Sequence, residues 1–206
     1  MSIVFYGAPM SSATPVAWAL AELGVSHEKV SIELASGKQR TPEFLRLNPN
    51  GKVPTLVVDG TPMFEGLSIM QWLGDRHGVE KGLWPAADAP ERLRALSWST
   101  WAYVTVGGTL GRLAASTGER LGAASRNEAQ EAHARRELEG LMGILDAQLE
   151  ARAYLLGDAF SLADLIVAAT VGYAASTGVS LAGHARVQAW LARCQARPAM
   201  AKAMAG

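Results

Sequence analysis

Apolar and polar positions along this chain follow two rhythms, and the change between them divides it. Ile3-Val4-Phe5-Tyr6 is a short apolar run of strand character. Val16, Leu20 and Leu23 then recur at helical spacing. Thr14-Pro15 ahead of them suits an N-cap and a first helical position, and Gly24 behind them suits a C-terminal cap. Val30, Ile32 and Leu34 alternate with Lys29, Ser31 and Glu33, the two-residue period of a strand. Thr41-Pro42 repeats the cap-and-proline signal for a short helix through Phe44 and Leu45, stopped at Asn48-Pro49. Thr55-Leu56-Val57-Val58 reads as a strand closed by the turn pair Asp59-Gly60, with a return strand at Pro62-Met63-Phe64. A helix from about Gly66 to Arg76 carries Ile69, Trp72 and Leu73 on one face.

Strand, helix, strand, helix, hairpin and helix in this order predict a mixed sheet with helices packed on it, the plan of an α/β thioredoxin-like domain. After the stretch "GVEKGLWPAADAP" the strand signals stop, and the rest reads as all-α. The expected division is a sheet domain over 1–78, a linker over 79–89 and a helical domain over 90–206. A helix from about Pro90 carries Leu93, Leu96, Trp101 and Val104 and is disturbed at Gly107-Gly108. Ser125 with Glu128 forms a capping box opening a long helix with Leu138, Leu141, Leu145 and Leu149 on one face. Ser161 with Asp164 is a second box, flanked by Phe160 and Leu165 at the positions of a hydrophobic staple. The helix it opens is apolar nearly all round, which predicts a central buried helix. Val187, Trp190, Leu191 and Cys194 line a last helix ended by Arg197-Pro198.

Composition narrows the function classes. The 206 residues carry no net charge, so nothing attracts the chain to nucleic acid or to anionic membranes. Cys194 is the only cysteine, which excludes an internal disulfide and points to a reducing, cytoplasmic setting. Met1-Ser2-Ile3-Val4 lacks the features of a signal peptide, and the apolar stretch 160–175 is interrupted by Asp164 and too short to span a bilayer. His27, His77, His133 and His184 show no ligand spacing, so no metal is expected. Cys194, on the Val187–Leu191 face, reads as a core residue.

The segments "NPNGKVPTL", "FEGLSIMQWL" and "FSLADLIVAA", in this order and at these separations, make the sequence resemble a cytosolic glutathione S-transferase over nearly its whole length. The resemblance, with beta-, theta- and phi-class features, implies a thioredoxin-like domain joined to an all-α domain, a two-fold homodimer, and glutathione as co-substrate with no metal. It also implies that the Val53-Pro54 bond is cis. Taken alone, Pro54 fits equally the start of an edge strand. With the resemblance, the bend turns the N–H and C=O of Val53 outward to pair with the cysteinyl part of glutathione, as an added strand would. Glu65-Gly66 opens a helix, whose free N–H groups suit a carboxylate, and Glu65 matches the acidic residue that holds the γ-glutamyl ammonium. Most relatives have Ser where this chain has Gly66. Gln39 and Arg40 lie where phi-class relatives grip the glycine carboxylate, with Lys38 and Lys52 as rivals.

A hydroxyl that donates to the glutathione sulfur favours the thiolate. Ser11 aligns with the Ser of theta- and phi-class enzymes and the Cys of beta-class enzymes. Its neighbour Ser12 and the strand-ending Tyr6 are the alternatives. Met10 and Trp101 are expected in the pocket for an electrophilic, largely apolar second substrate. The expected activity is addition of the glutathione thiolate to that electrophile. The alternatives are a glutathione-dependent isomerase, peroxidase or dehalogenase, or a non-catalytic binding protein on the same fold.

Overall fold

Four strands form one mixed sheet in the order β2-β1-β3-β4. β1 (Ile3–Gly7) pairs parallel with β2 (Glu28–Ser31) and antiparallel with β3 (Thr55–Val58), and β3 pairs antiparallel with β4 (Thr61–Phe64). The computed structural model describes residues 1–118 and 122–205. Ile3 and Phe5 of β1 are buried together with Leu56 of β3. α1 (Thr14–Leu23) buries Val16, Trp18, Ala19, Leu20 and Leu23, and packs beside α3 (Gly66–Leu73), which buries Ile69, Met70 and Leu73. A fully buried side chain of this size contributes about 1.5–3 kcal/mol, so the two apolar helix faces account for these elements.

Local chemistry corrects three details of the sequence reading. At α1 the N-cap is Ala13, without a side-chain hydrogen bond, and Thr14 is already helical. β2 ends at Ser31: Ile32 stays buried, but Leu34 turns outward into a 3₁₀ turn, Leu34–Ser36. Asn127, not Ser125, caps the long helix, accepting from the Gln130 N–H at 3.0 Å, while Ser125 ends a preceding 3₁₀ turn. Elsewhere the punctuation stands. Thr41 caps α2 (Pro42–Leu47), and Gly24 closes α1 with φ 59°. α3 runs on into a π-helical turn, Gly74–Gly78, where a Cβ on Gly74 would meet the Trp84 indole at 2.7 Å and one on Gly78 the Trp84 Cβ at 2.9 Å.

Two compact units result. The first is Met1–Ala87 joined by the segment from Ala196 onward, and the second is Asp88–Gln195. Residues 198–205 were expected in the helical domain, beyond its last helix; instead they form α9 (Pro198–Ala205), which packs on α1, tied by Arg197, whose Nε donates to Glu22 at 2.9 Å. The second unit contains α4 (Glu91–Thr100), a π-helical turn (Trp101–Val106), α5 (Gly107–Ser116), α6 (Glu128–Gln148), α7 (Leu162–Ser176) and α8 (Ala185–Gln195). α7 packs against α4, the π-helical turn and α8; it is buried without a break from Leu162 to Ala168, as its all-round apolar pattern predicts, while Tyr173 in its last turn is exposed.

The Ser161–Asp164 box opens α7. Asp164 is fully buried and accepts from the N–H of Leu155 and of Ser161, from the Ser161 hydroxyl and from the Trp190 indole, at 2.8–2.9 Å. Burial pushes its carboxyl up, against the pull of these donors. Asp146 of α6 plays a similar part for α8, accepting from the N–H groups of Arg186 and Val187 at 2.9 and 3.2 Å and pairing with the Arg186 guanidinium at 2.7 Å. Among the described residues no helix is long and apolar enough to cross a membrane, and no cluster of His, Cys, Asp or Glu is arranged to hold a metal ion.

Candidate active site

The sheet register gathers the candidate residues at one end. Tyr6 of β1 pairs with Thr55 of β3, and Thr55 pairs with Phe64 of β4, so these three form a row across the sheet. One step beyond that row lie Gly7 and the loop to α1, Pro54, and Glu65 with the start of α3. Segments distant in sequence thus meet because β3 runs antiparallel to both neighbours.

The approach to Pro54 is built around Asn48. This side chain is 2% exposed. Its Nδ2 donates to the Lys52 carbonyl at 2.7 Å and to Thr55 Oγ1 at 3.1 Å, and its Oδ1 accepts from the Asn50 N–H at 3.0 Å. Gly51, with φ 59°, passes under Arg40: a Cβ there would lie 2.8 Å from the Arg40 Nη1 and 2.9 Å from the Gln39 carbonyl oxygen. The Val53-Pro54 bond is cis. Val53 is buried, and its N–H donates to no group among the described residues. An N–H left unpaired beside a strand is open to an acceptor from elsewhere. The Val53 carbonyl, expected to stand free, accepts from the Ser12 hydroxyl at 2.7 Å, because the loop before α1 brings that donor directly against it.

The two serines therefore differ. The Ser11 hydroxyl donates to the Ala8 carbonyl at 2.7 Å and accepts from the Ala13 N–H at 3.1 Å, so both its roles hold the loop ahead of α1. Ser12 is exposed and faces Val53. Tyr6 sits in the sheet with its ring edge-on to Phe44, centroids 6.0 Å apart.

Glu65 has φ 69°, unusual for a residue with a side chain, at the N-cap of α3. Its carboxylate is exposed and has no partner among the described residues, while Gly66 beside it is buried. Strained backbone of this kind costs about 1–3 kcal/mol and persists where the surroundings impose it. Arg40 Nη1 donates to the Asn50 carbonyl at 3.2 Å, which joins the turn Lys38–Arg40 to the loop leading to Val53. Gln39 donates to the Leu34 carbonyl at 3.2 Å, and its Oε1 is buried without a partner among the described residues. Lys38 pairs with Glu33 at 3.3 Å, whereas Lys52 is exposed and unpaired among the described residues. Met10 is 87% exposed in the first unit. In the second unit Trp101 opens the π-helical turn and meets Trp98 edge-on, centroids 5.0 Å apart.

Residues 10–76 match the model of the glutathione S-transferase N-terminal domain, and residues 103–198 that of its C-terminal domain. The chain is 31% identical to glutathione S-transferase 3 of Zea mays, over 97% of this chain and 92% of that one. It belongs to the glutathione S-transferase family. Another relative in the family's range of similarity is the disulfide-bond oxidoreductase YfcG of Escherichia coli, 27% identical over 98% of this chain and 94% of that one. A glutathione transferase of Burkholderia graminis, solved with two glutathione molecules per subunit, superposes with a TM-score of 0.85 at 29% identity, over 98% of this chain and 87% of that one.

Sequence reading missed Asn48, which it treated only as a helix stop, and the Ser12–Val53 contact. The Asn in "NPNGKVP" was a fair signal for the first, since asparagine hydrogen-bonds backbone two residues on. A contact spanning 41 residues has no local signal.

Proposed function

We propose that this family member binds glutathione along Val53 and adds its thiolate to an electrophilic, largely apolar second substrate. The observation that carries the reading is the Val53 N–H at the mouth of β3, which has no partner among the described residues. An extended peptide pairs with such a group as an added strand, exchanging N–H and C=O with Val53. Its γ-glutamyl end would then lie toward α3, where free helix N–H groups take a carboxylate and Glu65 takes the ammonium. Arg40 and Lys52, helped by Gln39, would take the glycine carboxylate, with Gly66 keeping the backbone close to the peptide. A hydroxyl of the Ser11-Ser12 pair would donate to the sulfur, and Met10 would contribute apolar surface to the second substrate. We place the enzyme in the cytoplasm as a homodimer, in keeping with its single cysteine and its family.

The test is retention on immobilised glutathione, elution with free glutathione, and an absorbance assay with an aryl halide. Failure to be retained would sink the reading. A second reading, thiol–disulfide exchange, is favoured by the similarity to the Escherichia coli oxidoreductase. Cys194 is buried in α8, so the sulfurs would be those of glutathione: two glutathione thiols reduce one disulfide and leave as glutathione disulfide. Release of thiol from a small dialkyl disulfide, without conjugation of the aryl halide, would select it.

A further inference from the structure

A cavity of about 360 Å³ lies in the helical unit, where the ends of α5 and α7 meet the N-terminal half of α6. The described residues that line it all belong to that unit. Its volume is at the lower end of the range of small-molecule sites. We propose that this cavity binds a flat, uncharged aromatic molecule bearing a carbonyl and a phenolic hydroxyl, a hydroxyaryl ketone by chemical class. The proposal stands apart from the transferase reading and does not depend on it.

The apolar part of the cavity fixes the body of the ligand. Leu110, Leu113 and Ala114 fall on one face of α5, and both leucines are buried, so they make a greasy floor. Tyr173 adds an aromatic ring that is 58% exposed, on a helix otherwise sunk in the core, and a ring so placed stacks on another ring. The polar groups fix what the ligand carries. Arg135 donates twice to one oxygen of Glu131, from Nε at 3.0 Å and from Nη2 at 2.8 Å. That grip orients the guanidinium, and its Nη1 has no partner among the described residues. The ion pair carries no net charge. A carbonyl oxygen gains the donor at little cost, whereas a carboxylate would meet Glu131 and pay for its own desolvation. Thr177 spends its one proton on the Ala174 carbonyl at 2.9 Å, so its oxygen can only accept. The ligand group that faces it must donate, which is the part of a phenol.

The experiment measures calorimetric affinities of the full chain for para-hydroxybenzophenone, benzophenone, para-benzylphenol and para-benzoylbenzoate. These share a two-ring body and differ in the hydroxyl, the carbonyl and a charge. Para-hydroxybenzophenone should bind most tightly, and loss of either polar group should weaken binding about tenfold. Arg135→Ala should weaken para-hydroxybenzophenone about tenfold and leave para-benzylphenol unchanged, since that probe has no carbonyl to lose a donor. Ala114→Trp fills the cavity from a half-buried position and should abolish binding of every probe. Near-ultraviolet light joins the carbonyl carbon of a bound benzophenone to a neighbouring C–H, the ketone becoming a tertiary alcohol with no atom lost. Peptide mass spectrometry should then place the adducts within 110–117 or 173–177. Absence of saturable binding, adducts elsewhere, an equal loss of para-benzylphenol in Arg135→Ala, or tighter binding of para-benzoylbenzoate than of para-hydroxybenzophenone each overturns the proposal.

Discussion

Asp164→Ala would remove the one acceptor shared by the loop before α7, the start of α7 and the core of α8. Leu155 N–H, Ser161 N–H and Trp190 Nε1 all lose their partner inside a site with no solvent access, since Asp164 is fully buried; the Ser161 hydroxyl loses it too, but can rotate and is left out of the count. At about 1–3 kcal/mol for each unsatisfied buried donor, three donors give a gross loss of about 3–9 kcal/mol. Removing a carboxylate whose burial pushes its pKa up offsets part of this, so we expect a net loss of about 3–5 kcal/mol. That exceeds the about 1–2 kcal/mol of a cap alone, because two of the three orphaned donors, Leu155 and Trp190, lie outside the cap. The assay is urea unfolding followed in parallel by tryptophan fluorescence and far-ultraviolet circular dichroism, with glutathione affinity measured on the folded protein. A loss below about 1 kcal/mol would refute the additive count of orphaned donors. An unchanged midpoint with lost glutathione binding would move Asp164 from the core to the active site.

Three further outcomes follow from the geometry. Glu65→Gly relieves the positive φ and should stabilise the protein by about 1 kcal/mol in thermal melts, yet weaken glutathione at least about tenfold by calorimetry, since the ammonium loses its carboxylate. Asn48→Ala should cost about 2–3 kcal/mol in urea unfolding and weaken glutathione with it, because the loop holding Val53 loses its internal bonds; full affinity in a destabilised variant would show that the loop holds its shape without Asn48. Asp146→Ala should cost about 1–2 kcal/mol at neutral pH as α8 loses its cap, the half-exposed Arg186 adding little. Burial raises the Asp146 carboxyl, but Arg186 and the two N–H groups outweigh it and hold it below the usual range. Its contribution is therefore present above the unfolded value, about pH 3.9, and fades as pH falls through the lower folded value. Wild type and variant should converge in melts on the acid side of about pH 4, and a gap that stays constant with pH would contradict this.

Much of the fold was written locally. Pro and Gly at helix ends, the Asp59-Gly60 turn and the all-round apolar α7 each act within a few residues, so their patterns survive as sequence signals. The readings that failed are those where a neighbour in space outbid a neighbour in sequence. Asn127 displaced Ser125 because its side chain meets the Gln130 N–H, while Ser125 turns to the Gly122 carbonyl at 2.8 Å. Leu34 fits a strand rhythm, but the last bond to the sheet is the Ile32 N–H to Gly7 at 2.8 Å, and by Leu34 the chain has turned into a 3₁₀ turn. At the site, the cis bond at Pro54 was legible only through the resemblance, since Pro54 alone fits an edge strand equally, and nothing in the sequence signals the φ of 69° at Glu65. The partners of Ser11 and Ser12 were not legible either, since two adjacent hydroxyls look alike until the fold gives one a loop carbonyl and the other Val53.

The pairing of Arg197 with Glu22 sets a timetable for the chain. These residues stand 175 positions apart, and Glu22 is only 6% exposed. At about 5–20 residues per second of synthesis, α1 leaves the ribosome roughly 9–35 s before its cover does. During that interval all four strands are made, yet the face of α1 that α9 will cover is bare, and a carboxylate destined for burial has no cation. The sheet unit, first to be translated, is thus last to be finished, after every helix of the other unit has emerged. A chain stopped after Gln195 would keep its helical unit entire and injure the unit at its opposite end.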